Sequence, residues 1–147
     1  MLLDDVATRL VEVGFQMPFP GHPDALEGFI DLLFEWQGRI YILDWKSNTL
    51  EDGDYDTEAL AQHMAAHYDL QVRIYTLVAM ALAGIQTEAD FLARFGGAVY
   101  VYLRGLPAGG IWTGRPTWAE VQGWRQDLCD LGIDDLAIVR MERGTHG

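Results

Sequence analysis

Apolar and polar positions change period several times along the chain. Residues 27–36 (EGFIDLLFEW) and 39–47 (RIYILDWKS) are rich in aromatic and β-branched residues and read as two strands. Gln37-Gly38 between them suits a tight hairpin turn. From about Thr57 to Ala83 the pattern turns helical, with Leu60, Met64, Leu70, Ile74, Leu77 and Val78 at three- and four-residue spacing. The string HYDL is a candidate interruption, and Gly84 a stop. TEADFLARF predicts a short helix capped by Thr87, and GGAVYVYLRG a strand. A short strand at Ile111–Thr113 follows in a loop. A last helix begins near Thr117, with Glu120 completing a capping box.

The ends are less regular. LDDVATRLVEVG reads as a short helix ending at Gly14, and MPFPGHPDA, with three prolines, as loop. The expected organisation is a single domain over 1–147. It has an N-terminal helix and Pro-rich lead-in over 1–26, a core over 27–130 and a flexible tail over 138–147. Strands mixed with helices predict a small α/β sheet covered on both faces.

Three charges sit inside this apolar pattern. A two-residue turn at Gln37-Gly38 pairs Trp36 with Arg39. Counting outward places Asp31 directly opposite Asp44, with Cβ atoms about 4.5–5.5 Å apart. Lys46 then lies on the same face, two residues beyond Asp44. Two adjacent carboxylates require a shared proton, a cationic side chain or a metal. Lys46 supplies one charge, and a hard divalent cation would suit the all-oxygen ligand set. A buried acid–lysine cluster without catalytic role fits the geometry equally well. The register is fragile, because a slip of one residue would send the acids to opposite faces.

Composition narrows the classes. The chain has 147 residues, 50% hydrophobic, which is enough for a globular core. One cysteine, Cys129, excludes a disulfide framework within the chain and points to a reducing cytosol. No apolar run reaches membrane-span length, and the acidic start does not read as a signal peptide. The formal charge of −12 counts against a free-standing nucleic-acid binder, but is compatible with a metal-dependent enzyme.

The strings GFIDLLF, YILDWKSN, YDLQVRIYTLV and FGGAVYVYLRG, in that order, resemble the C-terminal nuclease domain of RecB-type helicase–nuclease subunits. These subunits fall within the PD-(D/E)xK nuclease superfamily. The resemblance covers residues 27–118 and implies a restriction-endonuclease-like mixed sheet flanked by helices. By resemblance, Asp31 and Asp44 are metal ligands together with the backbone carbonyl of Trp45. Lys46 is the catalytic lysine, and Gln71 and Tyr75 are supporting or DNA-contacting residues. The implied cofactor is Mg2+, with Mn2+ as a substitute. The implied substrate is DNA, cut exonucleolytically in double-strand break repair and recombination. The implied partners are other subunits of a bacterial cytoplasmic helicase–nuclease, of which this chain would be a fragment. The family's histidine ligand upstream of the first acid has no match here, since His22 lies in the Pro-rich loop. The alternative is therefore a catalytically impaired interaction module with a nuclease fold.

Other features carry less. EDGDYDTE lacks the EF-hand glycine and the final glutamate, and reads as a solvated loop. His63 and His67, four apart, offer a zinc pair but read better as exposed helix surface. Tyr100, Tyr102, Trp118 and Trp124 suit packing. Trp112 is a candidate base-stacking ring, and Arg104 and Arg115 candidate phosphate contacts.

Overall fold

The structure is a computed structural model that describes residues 11–17, 26–50, 55–130 and 140–143. Six strands form one mixed sheet: β1 (Val11–Met17), β2 (Leu26–Trp36), β3 (Arg39–Lys46), β4 (Phe95–Tyr102), β5 (Ile111–Gly114) and β6 (Arg140–Arg143). Their order across the sheet is β5-β4-β3-β2-β1-β6. Among the described residues, only β3 and β4 are parallel neighbours, and the connection between them carries three helices, α1 (Thr57–His67), α2 (Asp69–Ala83) and α3 (Glu88–Arg94). A parallel pair needs such a long crossover. The last helix, α4 (Trp118–Asp130), packs against α2 and α3. Among the described residues, no helix is long and apolar enough to cross a membrane.

Local chemistry explains most boundaries. Gln37 (φ 51°) and Gly38 (φ 77°) both take positive φ, as a two-residue hairpin with this twist requires. The pairs run from Trp36↔Arg39 to Leu32↔Leu43, in the expected register. Asp56 caps α1 by accepting from Ala59 N–H at 2.9 Å, and Thr87 caps α3 through Asp90 N–H at 3.1 Å. Thr117 and Glu120 exchange the two hydrogen bonds of a capping box, each 3.1 Å. Helix α2 ends at Gly84, whose φ of 72° is the left-handed stop that glycine allows. The break between α1 and α2 falls on Tyr68, within the HYDL string.

Two expectations at the ends are corrected. Residues 11–14, read as the end of a helix, belong to strand β1. Val13 and Phe15 are buried beside Ile30, so the apolar alternation Val11, Val13, Phe15 has period two, not 3.6. Within the stretch read as a tail, 140–143 form β6, which closes the edge of β1 through four paired residues. The rest of the lead-in and tail lies outside the described residues.

The core gathers on one face. Leu60 and Met64 of α1, Leu77 to Met80 of α2, Phe91 of α3 and Val121 of α4 join Val13, Phe15, Ile30, Leu33, Ile42, Ala98, Tyr100 and Tyr102 of the sheet. Helix α2 buries six consecutive residues, Tyr75 to Met80, because it lies between the sheet and the outer helices. Phe34, Leu43 and Val101 are buried outside that cluster, on the opposite face of the sheet. The described helices thus contribute to one face, where coverage of both was expected.

Glycine in β2 is required by an aromatic ring. Gly28 pairs with Phe15, and a Cβ there would collide with the Phe15 ring. That ring cannot swing away freely, since it is buried and packs edge-on against Tyr75 at 5.7 Å. Gly28→Ala is expected to cost about 1–3 kcal/mol through overpacking, read as a lowered urea midpoint at unchanged m-value.

Candidate active site

The C-terminal ends of the parallel pair β3–β4 bring Asp44 beside Tyr100 and Lys46 beside Tyr102. Asp44 is 3% exposed, which makes it one of two buried polar residues among those described, with Thr76. Its Oδ2 lies 2.7 Å from Lys46 Nζ, but receives no hydrogen bond of acceptable direction among the described residues. Burial pushes the Asp44 carboxyl up to about 6. Lys46 works against that rise, and the nearby Asp31 charge adds to it. A carboxylate this buried, with a second acid beside it, is a costly group to keep ionised even when a lysine is paired with it.

Asp31 reaches the same place on a strand that carries a bulge, which the hairpin count does not show. The β2–β3 pairing keeps the expected register as far as Leu32↔Leu43, the step before Asp31 and Asp44, whose carboxyls lie against each other. On its other side β2 pairs with β1 as Val11↔Leu33 and then Val13↔Ile30, which leaves one extra residue in β2 between those pairs. This bulge falls at Asp31-Leu32. It brings Ile30 onto the core face with Leu33, where strict alternation would separate them, and leaves Phe29 50% exposed. Asp31 is exposed, and its Oδ2 accepts the Trp45 N–H at 3.1 Å. The two acids and the lysine therefore converge as expected, with a bulge in β2 beside them.

Helix α2 supplies the polar support. Gln71 Oε1 accepts from Lys46 Nζ at 3.3 Å and from the Tyr100 hydroxyl at 2.7 Å. Tyr75, one turn later, donates its hydroxyl to the Phe29 carbonyl at 2.7 Å and so ties α2 to β2 next to the bulge. Burial, reinforced by the Asp44 charge, pushes the Tyr75 hydroxyl up to about 12 and the Tyr100 hydroxyl higher still. Both phenols therefore stay protonated donors at neutral pH.

Sequence reading missed three members of this shell. The Tyr68 ring covers Lys46 Nζ at 4.0 Å from its centroid, Asn48 Oδ1 accepts from the Tyr68 hydroxyl at 3.0 Å, and Tyr100 holds Gln71. One signal was available: Tyr68, Gln71 and Tyr75 fall at three- and four-residue spacing along one helical face. His63, expected on exposed surface, is half-buried, with Nδ1 2.8 Å from the Tyr102 hydroxyl. Its imidazole pKa is lowered by burial and by His67. The two arginines separate. Arg115 is spent on the end of α3, donating to the carbonyls of Phe95, Leu92 and Phe91. Arg104 is exposed at the site's end of the sheet, where its Nε donates to the Ser47 carbonyl at 2.8 Å. Trp112, half-buried, packs edge-on against Tyr100 at 5.7 Å.

Does this donor set fit a metal? Two adjacent carboxylates, one with a buried oxygen whose partner among the described residues is the Lys46 ammonium, form an all-oxygen set of the kind hard divalent cations take. Among the described residues, no three His, Cys, Asp or Glu side chains converge, so protein carboxylates would supply only part of a coordination shell. Mg2+ tolerates that arrangement, because it retains several waters.

The profile of the PD-(D/E)XK nuclease superfamily matches residues 3–146. This chain belongs to that superfamily. Its mixed sheet with flanking helices is the corresponding restriction-endonuclease-like α/β fold. The RecBCD enzyme subunit RecB of Escherichia coli K12 is 46% identical over 99 residues, 62% of this chain and 8% of that protein. The RecB subunit of Haemophilus influenzae is 39% identical over 99 residues, 63% of this chain and 8% of the relative. An ATP-dependent helicase/nuclease subunit from Bacillus pumilus is 30% identical over 105 residues, again 63% and 8%. Within the PD-(D/E)XK superfamily the chain is thus a RecB-like nuclease domain, and it spans under a tenth of the length of these relatives.

The raised Asp44 carboxyl has a consequence for stability. In the metal-free protein, the folded chain keeps this proton between about pH 4 and 6, where the unfolded chain has released it. Stability linked to the proton is fully present below that window and is lost as pH rises through 6. Asp44→Asn lacks the loss, so its stability relative to the native chain is expected to grow by about 2–3 kcal/mol from pH 4 to 7.5. Urea unfolding of both proteins in chelator across this range checks the sign.

Proposed function

We propose that this chain is the Mg2+-dependent DNA exonuclease module of a RecB-type helicase–nuclease, working in the bacterial cytoplasm on DNA ends during double-strand break repair and recombination. The other subunits of that complex would be its protein partners. The observation that carries the reading is the convergence of Asp31, buried Asp44 and Lys46 at the end of β3. In this reading Asp31, Asp44 and the Trp45 carbonyl hold the metal. An extended residue points its N–H and C=O to the same side. Trp45 N–H meets Asp31, so the carbonyl faces that side too. When bound, a divalent cation supplies charge neutralisation at the scissile phosphate and a more acidic water.

The chain's own groups do the rest. Lys46 presents an ammonium that orients the attacking water or offsets charge developing on the phosphate. Gln71, itself held by the Tyr100 hydroxyl, gives that ammonium a second partner beside Asp44. Tyr75 pins the strand that carries Asp31. Mn2+ should replace Mg2+, since it accepts the same oxygen donors.

Asp44→Ala is expected to abolish Mg2+-dependent release of nucleotides from linear DNA while keeping the native far-UV circular dichroism. Cleavage at native rates by a folded variant would refute the site. One observation favours a second reading, a nuclease-fold interaction module with impaired chemistry: Lys46 already neutralises Asp44 in the structure. Calorimetric titration separates the two. Mg2+ or Mn2+ binding lost in Asp31→Ala and Asp44→Ala supports the nuclease, and a native chain that binds neither ion supports the interaction module.

A further inference from the structure

Lys46 has a neighbour that plays no part in the chemistry above. Its Nζ sits 4.0 Å from the centroid of the Tyr68 ring and 5.4 Å from that of Tyr100. An ammonium over an aromatic face is held by the ring quadrupole, and Tyr68 is the closer of the two rings.

Tyr68 is fixed in that position from several sides. It is the single residue between α1 and α2, with φ −125° and ψ 7°, outside helical geometry. Its hydroxyl donates to Asn48 Oδ1 at 3.0 Å, and Asn48 follows Lys46 by two residues. The Asn48 carbonyl in turn accepts from the Tyr55 hydroxyl at 3.4 Å. The Tyr68 ring also meets Tyr100 at 6.0 Å and His63 at 5.7 Å between centroids. The strand end that carries the lysine and the ring that covers it are therefore joined by one side-chain hydrogen bond.

The other two holds on Lys46 are shared. Asp44 Oδ2 is the oxygen that a divalent cation would take in the reading above, on which this inference rests. Gln71 Oε1 is closer to the Tyr100 hydroxyl, 2.7 Å, than to Lys46, 3.3 Å. The Tyr68 ring competes for neither. We propose that Tyr68 is a positioning residue for Lys46: its ring holds the ammonium at the site when the Asp44 carboxylate is engaged elsewhere.

The test compares Tyr68→Leu, Tyr68→Phe and Lys46→Ala in the 147-residue chain. The first readout needs neither metal nor catalysis. The Lys46 ε-methylene protons should be shifted upfield by the ring in the native protein and in Tyr68→Phe, and return to ordinary values in Tyr68→Leu. The second readout is cleavage of linear DNA with Mg2+. Tyr68→Leu should lower kcat about 10- to 30-fold, with KM and calorimetric Mg2+ affinity within about twofold of native. Tyr68→Phe should keep kcat within about threefold, since the ring remains. Should Tyr68→Leu not fold, Tyr68→Met carries the same comparison with an unbranched side chain. An unchanged ε-methylene shift in Tyr68→Leu overturns the proposal. So does native kcat in Tyr68→Leu when Lys46→Ala is inactive. If Lys46→Ala cuts like the native chain, the catalytic reading of the site falls instead, and the methylene shift still decides whether Tyr68 places the lysine.

Discussion

A carboxylate buried at 3% exposure at the end of a parallel strand pair constrains everything around it. Asp44 cannot be left ionised in an apolar core without a counter-charge. Lys46, two residues on, provides one at 2.7 Å, yet a further acid, Asp31, stands near enough to raise the same carboxyl. Removing one partner of such a buried pair is more costly than never having built it. The rest of the site can be understood as what this charge demands. Gln71 and Tyr68 hold the lysine, Tyr100 holds Gln71, and Tyr75 anchors the strand that brings Asp31.

The fold places these groups economically. Carboxyl ends of parallel strands are where open α/β sheets leave room for ligands. Among the described residues only β3 and β4 make a parallel pair, and their crossover must carry helices. One of those helices, α2, presents Gln71 and Tyr75 toward that end of the sheet. The polar shell and the core thus share one element: the turns that carry Gln71 and Tyr75 run directly into the fully buried Val78, Ala79 and Met80. Loosening α2 would disturb the site and the core together.

Much of this was legible in the residues. The positive-φ turn at Gln37-Gly38, the caps at Thr87 and Thr117, the stop at Gly84 and the break at HYDL are local chemistry, and each lies where its sequence signal points. Membership of the PD-(D/E)XK superfamily was legible for a related reason, since the D-W-K string and its neighbours are short and contiguous. Strand β1 reads as helix because its seven residues follow a helix-like start, and short apolar runs do not declare their period. β6 was missed because an edge strand of four residues carries almost no pattern, and its pairing partner, β1, had been misassigned.

The bulge at Asp31 shows where local reasoning stops. Counting from the hairpin turn is valid only while β2 answers to β3 alone. At Asp31 the strand also answers to β1, and the extra residue between Val13↔Ile30 and Val11↔Leu33 resets which side chains face the core. The sequence by itself determined the hairpin, the helix boundaries and the gathering of Asp31, Asp44 and Lys46 at one end of the sheet, because these follow from neighbours within a few residues or across one tight turn. Only the tertiary structure decided the bulge beside Asp31, which ring covers Lys46, and which arginine lies near the site. Those depend on contacts between residues 14 to 57 positions apart, whose geometry no local periodicity encodes.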